Sequence, residues 1–258
     1  MIDIENAKNE FNEYVKKFNP EDGRIKLKID HISRVTNYSK QIASNLNLNE
    51  EQIRLAELIG IFHDIGRFKQ AEKYNTFSDK ESGINHAEYS INVLYEDNLI
   101  EKFKVDSKYN HIIKKAVLNH NKSAIETGLS EEELLFAKII RDADKLDIFY
   151  EGAKMFWTDE KQKEEISESK ITDEVIELFS KNVYWNRENI QTKVDSIIHF
   201  ISLIFDINLK YDFEVIKRED YINKILNKFD FKDITTAEQM RQIRKIANEY
   251  IESFLIEL

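Results

Sequence analysis

Five of the six histidines of this chain fall between residues 31 and 120, and the helical phases of four of them point inward. His63 stands beside Asp64 at the end of the apolar run LAELIGIF, where two polar groups are costly to bury. His31 shares one helical stripe with Val35, Tyr38 and Ile42, and His63 continues the stripe of Ala56 and Ile59. His86 opens a helix whose stripe runs through Ser90 and Val93, and His120 ends the stripe of Ile113, Ala116 and Val117. Asp144 lies in line with Ala137, Ile140 and Ile148. Taken singly, each is a core histidine bonded to a carbonyl, or an aspartate capping a neighbouring helix. Together, four histidines and two aspartates facing one interior need a shared partner to offset their desolvation. A divalent cation is such a partner, because imidazole nitrogens and carboxylate oxygens are its natural ligands. His111 shares its stripe with Lys115, Leu118 and Lys122 and is expected at the surface. His199 is isolated in the C-terminal half and is expected in the core or at its rim.

These residues have to be positioned by helices. One proline and six glycines in 258 residues leave few breakers, and the periodicity is helical almost throughout. Helices are expected at Leu27–Leu46, after the Asn49/Gln52 capping box, and at Asn85–Glu96, Ser107–Asn121 and Glu131–Tyr150. The last is introduced by a second box, Ser130 with Glu133. Beyond Gly152, helices are expected around Asp173–Phe179, Glu188–Phe205, Asp220–Asn227 and Thr236–Ile256. The polar tract DEKQKEEISESK, Asp159–Lys170, reads as a surface loop or a frayed helix end. Neither a Gly/Ser/Pro-rich linker nor an internal repeat divides the chain. The expectation is a single all-α domain over residues 1–258, with a core at about 25–150 and a C-terminal helical extension at about 151–258.

The formal charge is −10, from 38 basic and 48 acidic residues, so the average surface repels duplex nucleic acid and anionic membranes. A small anionic substrate then needs a local cation to reverse the field. Cysteine is absent, which excludes disulfides, a thiolate nucleophile and Cys-based zinc sites. The N-terminal segment MIDIENAKNEFNEYVKKF is amphipathic and charged, and no apolar run approaches about 18 residues. Neither a signal peptide nor a membrane span is expected, and a cytoplasmic protein is.

The order His31, His63-Asp64, Asp144 resembles the HD-domain superfamily of metal-dependent phosphohydrolases. IFHDIGRF is similar to that family's HDIGK/R segment, and RDADKLD to its Ala-Asp-Lys/Arg-Leu segment. The resemblance covers about residues 25–150 and implies an HD-domain helical bundle. It also implies that His31, His63, Asp64 and Asp144, rather than Asp142 or Asp147, hold a catalytic metal. Helical phase agrees on Asp144. Some relatives carry two further histidines that hold a second ion, with the HD aspartate bridging. His86 in NHAEYS and His120 in AVLNHNK match those positions, although Asn119 stands where several relatives have another histidine. The alternative is one ion, with His86 and His120 binding substrate phosphate. Two signatures are missing: the Gly-Tyr-Pro of cyclic-dinucleotide phosphodiesterases and the Glu-Asp pair of guanosine tetraphosphate hydrolases. Both specificities are disfavoured.

The implied activity is hydrolysis of a phosphomonoester or phosphodiester, such as a nucleotide or another small phosphorylated molecule, by metal-activated water. Asp64 would orient or deprotonate that water. Arg67, one turn beyond the HD pair, is placed to bring a guanidinium fork to phosphate, or else is a surface arginine after a helix end. Lys145 is placed to bond the site or substrate, or else to pair with a nearby carboxylate. Ligation without sulfur favours Fe, Mn, Ni, Co or Mg, one or two ions per chain. A regulatory or protein-interaction module without turnover is the other class, disfavoured by the full ligand set. Substrate specificity is expected in Phe68–Gly83 and the C-terminal helices, and the oligomeric state is undetermined.

Overall fold

Capping side chains fix where the site-bearing helices begin. In the computed structural model, which describes residues 2–185 and 187–256, Asp3 accepts from the Asn6 amide to start α1 (Ile4–Val15). Met1, Asn186, Glu257 and Leu258 lie outside the described residues. Asp22 accepts from the Arg24 amide at the head of α2 (Gly23–Asn45), four residues before the expected start. The Asn49/Gln52 box is formed in both directions at α3 (Glu50–Phe62). Then come α4 (Arg67–Tyr74), the single turn α5 (Asp79–Ser82) and α6 (His86–Ile91), the last capped by Asn85 and followed by a wider π turn to Glu96. A 3-10 turn, Ser107–Tyr109, leads into α7 (Asn110–Asn119). The Ser130/Glu133 box opens α8 (Glu131–Lys154). The fold is all-α, with no strand among the described residues.

The chain divides into two compact units, Met1–Asp147 and Ile148–Leu258. In the first, α3 is the central helix. Every residue from Leu55 to Phe62 is buried, which explains why LAELIGIF lacks a polar face. Even Glu57 is buried there, its carboxylate 3.6 Å from both Lys8 of α1 and Lys40 of α2. The helix α2 packs along α3 so closely that a Cβ added at Gly60 would lie 2.7 Å from the Thr36 Cα. That approach brings His31, late in one helix turn of α2, against His63 at the end of α3.

The second unit consists of the last turns of α8 with α9 (Glu160–Ser167), α10 (Asp173–Ser180), α11 (Lys193–Ile201), α12 (Lys210–Arg218), α13 (Tyr221–Leu226) and α14 (Ile234–Ile256). Two expectations are corrected here. The tract Asp159–Lys170 is largely helical. Asp159 caps α9 by accepting from the Gln162 amide, and Ile166 supplies a buried anchor that the surrounding polarity concealed. The helix expected from Glu188 to Phe205 starts only at Lys193, because Thr192 and Asp195 form a capping box. It tightens into a 3-10 turn over Ser202–Asp206. The α14 helix packs on α10, α12 and α13, with Phe254 stacked on Phe213 at 4.4 Å.

Because the obstacle at Gly60 is backbone, Gly60→Ala should destabilise the metal-free protein by about 1–3 kcal/mol in urea denaturation. Gly23→Ala, where an added Cβ meets nothing within 4 Å, should be neutral or slightly stabilising.

Candidate metal centre

All of the site residues belong to the first unit, and each element delivers them for a local reason. The α3 helix ends at His63, and a tight turn follows in which Gly66 lies against the backbone of α6. A Cβ there would come within 2.6 Å of the Ser90 nitrogen, and the Gly66 amide donates to Ser90 Oγ at 3.0 Å. The glycine after the HD pair therefore lets α6, with His86 at its first position, approach Asp64. From the other side, buried Arg141 of α8 donates to the carbonyls of Asn119 and Lys122, at 2.7 and 2.6 Å. It pins the end of α7, where His120 sits.

The four imidazoles are held by their Nδ1 atoms. His31 Nδ1 meets Asp147 Oδ2 at 2.7 Å, and His63 Nδ1 donates to the Gly60 carbonyl at 2.7 Å. His86 Nδ1 meets Asp79 Oδ2 at 2.5 Å, and His120 Nδ1 donates to the Val117 carbonyl at 2.6 Å. Each partner is an acceptor, so the proton of a neutral ring belongs on Nδ1 and its Nε2 carries a bare lone pair. These lone pairs face each other. His31 Nε2 is 3.2 Å from His63 Nε2, and His86 Nε2 is 3.1 Å from His120 Nε2. Two nitrogens with no proton between them repel, whereas two ligands about 2.0–2.1 Å from one ion stand about 2.9–3.4 Å apart.

Asp64 lies between the two pairs. Its Oδ2 is 3.6 Å from His31 Nε2 and 3.7 Å from His63 Nε2. Its Oδ1 is 3.7 Å from His86 Nε2 and 3.6 Å from His120 Nε2. That Oδ1 is buried without a hydrogen-bond partner. Asp144 Oδ1 joins the first pair, 3.3 Å from His31 Nε2 and 3.9 Å from His63 Nε2. Two groups, His31/His63/Asp64 and Asp64/His86/His120, thus have the donor set and spacing for a cation each. The residues present fit a divalent metal.

The electrostatics of His63 and His86 agree. Burial pushes the His63 imidazole down to about 3, keeping it neutral as a ligand must be. Burial also lowers His86, against the raising effect of Asp79. For His31, burial and Lys28 act downward, but the carboxylates of Asp144 and Asp147 outweigh them and raise it. Burial alone would raise Asp64 and Asp144. Lys28, His63 and Arg67 hold Asp64 well below the usual range, and His31 and His63 lower Asp144.

All six residues expected to bind metal converge. Arg67 and Lys145 are placed differently from one another. Arg67 Nη1 donates to Gln70 Oε1 and Asp79 Oδ1, both at 2.8 Å, and to the Phe77 carbonyl, while its Nε lies 3.5 Å from Asp64 Oδ1. Lys145 is buried on α8, its Nζ 3.5 Å from the Arg141 carbonyl. His111 is exposed and pairs with Glu133. His199 is buried and bonded to the Trp185 carbonyl at 3.0 Å. Sequence reasoning missed the carboxylates that orient the rings. Asp147, set aside as a ligand, holds His31 and is itself paired with Arg34. Asp79 holds His86 and is paired with Arg67. Only the i+3 spacing from Asp144 to Asp147 offered a signal. Lys28, also missed, reaches Asp64 Oδ2 at 2.8 Å.

The family described as HD domain matches residues 29–148 of the chain. That match over 120 of 258 residues supports membership of the HD-domain superfamily. No curated protein and no solved structure matches it. The HD domain suggests a metal-dependent phosphohydrolase and implies divalent-metal binding, and the two His/Asp groups are suited to it. No helix of the described residues is long and apolar enough to cross a membrane.

A carboxylate on the far nitrogen of a ligating imidazole orients the ring and raises its basicity. Asp147→Asn should therefore lower Mn2+ affinity about 10–100-fold in a calorimetric titration while the helical circular-dichroism signal is kept.

Proposed function

We propose that this chain hydrolyses a small phosphorylated molecule, a phosphomonoester or phosphodiester, at a two-ion centre bridged by Asp64. The observation that carries the reading is the split of one buried carboxylate between two pairs of bare imidazole nitrogens. His31, His63, Asp64 Oδ2 and Asp144 would hold one ion; His86, His120 and Asp64 Oδ1 would hold the other. Divalent ions in such a site acidify water and draw charge from phosphoryl oxygens. Donors of nitrogen and oxygen only suit Fe, Mn, Ni, Co or Mg.

The chain's own residues supply orientation and access. Asp79 and Asp147 fix the ring planes of His86 and His31, and two arginines balance those outer carboxylates. Arg67 ties Asp64 to Asp79 and to the Phe77 backbone, so it holds the bridging carboxylate and the His86 ring in one frame. His63 is wholly buried, whereas the Asp144 side chain is 21% exposed and that of Lys28 17%. Substrate would enter beside those two. An overall charge of −10 disfavours duplex nucleic acid and leaves small anions as the fitting class.

The test is a screen of phosphomonoesters, nucleotides and cyclic nucleotides with protein loaded with Mn, Fe, Co, Ni or Mg. Hydrolysis of at least one class is expected, and Asp64→Ala should abolish it and empty the centre while the fold survives. Metal content below about 0.1 ion per chain without chelator, or no turnover by fully loaded protein, would point to a regulatory module instead.

The two-ion arrangement makes a separate prediction. His86→Ala and His120→Ala should each reduce bound Mn2+ from two ions to one by elemental analysis, and His111→Ala should leave both. Unchanged stoichiometry in the first two variants would reduce the centre to a single ion.

A further inference from the structure

Of the cations near the site, Lys28 has an unusual position. It lies one turn before His31 on α2, and its Nζ is 2.8 Å from Asp64 Oδ2. That oxygen is the one facing His31 and His63, and so the one a cation between them would take. Arg34 is committed to Asp147, and Arg67 to Asp79 and to the other oxygen of Asp64, Oδ1. Lys145 turns back along its own helix to the Arg141 carbonyl. Lys28 is paired only with the bridging carboxylate among the described residues, and its side chain is partly exposed.

An ammonium and a divalent ion competing for one carboxylate oxygen repel each other strongly in a buried site. An ion in the first position would therefore displace the Lys28 Nζ. Its flexible four-carbon stem allows the move. The Phe77 ring, with its centroid 5.7 Å from the Nζ, gives the stem and charge an aromatic surface to rest on. The displaced ammonium would stay on the partly exposed side of the centre, by the Phe77 ring.

We propose that Lys28 is the contact for substrate phosphate, held in the site by Asp64 Oδ2 and released toward substrate when a metal ion takes that oxygen. This rests on the phosphohydrolase reading above and extends it by naming the residue that links metal loading to anion binding. The chemical class recognised is a phosphate dianion, as in a phosphomonoester or inorganic phosphate.

The experiment needs no turnover. Mn2+ is titrated calorimetrically into metal-free wild type, Lys28→Met and Lys28→Arg, and inorganic phosphate is then titrated into each Mn2+-loaded protein. Lys28→Met, which keeps the stem and removes the charge, should bind Mn2+ about tenfold more tightly, because the competing cation is gone. The same variant should bind phosphate about 10–100-fold more weakly. Lys28→Arg should return Mn2+ affinity toward wild type and recover part of the phosphate affinity. If Lys28→Met binds Mn2+ no more tightly, Lys28 does not compete for the site; if its phosphate affinity is unchanged, Lys28 does not contact phosphate. Either result overturns the proposal and leaves the hydrolase reading standing. A wild type that takes up no Mn2+ overturns both.

Discussion

Four imidazole lone pairs and one carboxylate meet in a largely buried space, and the rest of the first unit is arranged around that constraint. The Nδ1 protons are fixed by acceptors, so the Nε2 atoms of neutral rings have no proton to share with one another. His63 is held neutral by burial, and Asp64 stays ionised because Lys28, His63 and Arg67 outweigh its desolvation. Such a cluster is electrostatically unsatisfied without cations. That dissatisfaction is the usual condition of a metal site before loading, since ligand deprotonation and geometry are settled by the fold and not by the ion.

The surrounding packing serves the same end. A central helix buried on every side can end on a polar pair only if that pair is supported, and Gly60, Gly66 and Arg141 supply the support at three edges. Two arginine–carboxylate pairs form an outer ring behind His31 and His86. They neutralise the carboxylates that steer the imidazoles and leave the inner negative charge for the ions. Charge is therefore graded from the ring outward to the centre.

Much of this was legible in the sequence, for identifiable reasons. His31, His63, His86, His120 and Asp144 lie on apolar stripes at helical spacing, and a polar group there must face something shared. The capping boxes at Asn49 and Ser130 set helix starts correctly because they rest on local hydrogen bonds. Asp79 was not legible: it sits in a polar, aperiodic stretch, and only the turn of the chain between α5 and α6 puts it on His86. Asp147 and Lys28 stand one turn from ligands on the ligands' own helices, a cue that is common among residues with no role. The helix at Glu160–Ser167 was obscured because a single buried isoleucine anchors an otherwise polar sequence.

The central claim is that Asp64 bridges two cations, and anomalous diffraction shows it most directly. Crystals grown with Mn2+ and measured at the manganese edge should show two peaks on opposite sides of the Asp64 carboxylate. One peak should lie among His31, His63 and Asp144, and the other between His86 and His120. A single peak in the first position would contradict the bridge, and strong manganese peaks only outside both groups would contradict the metal centre itself.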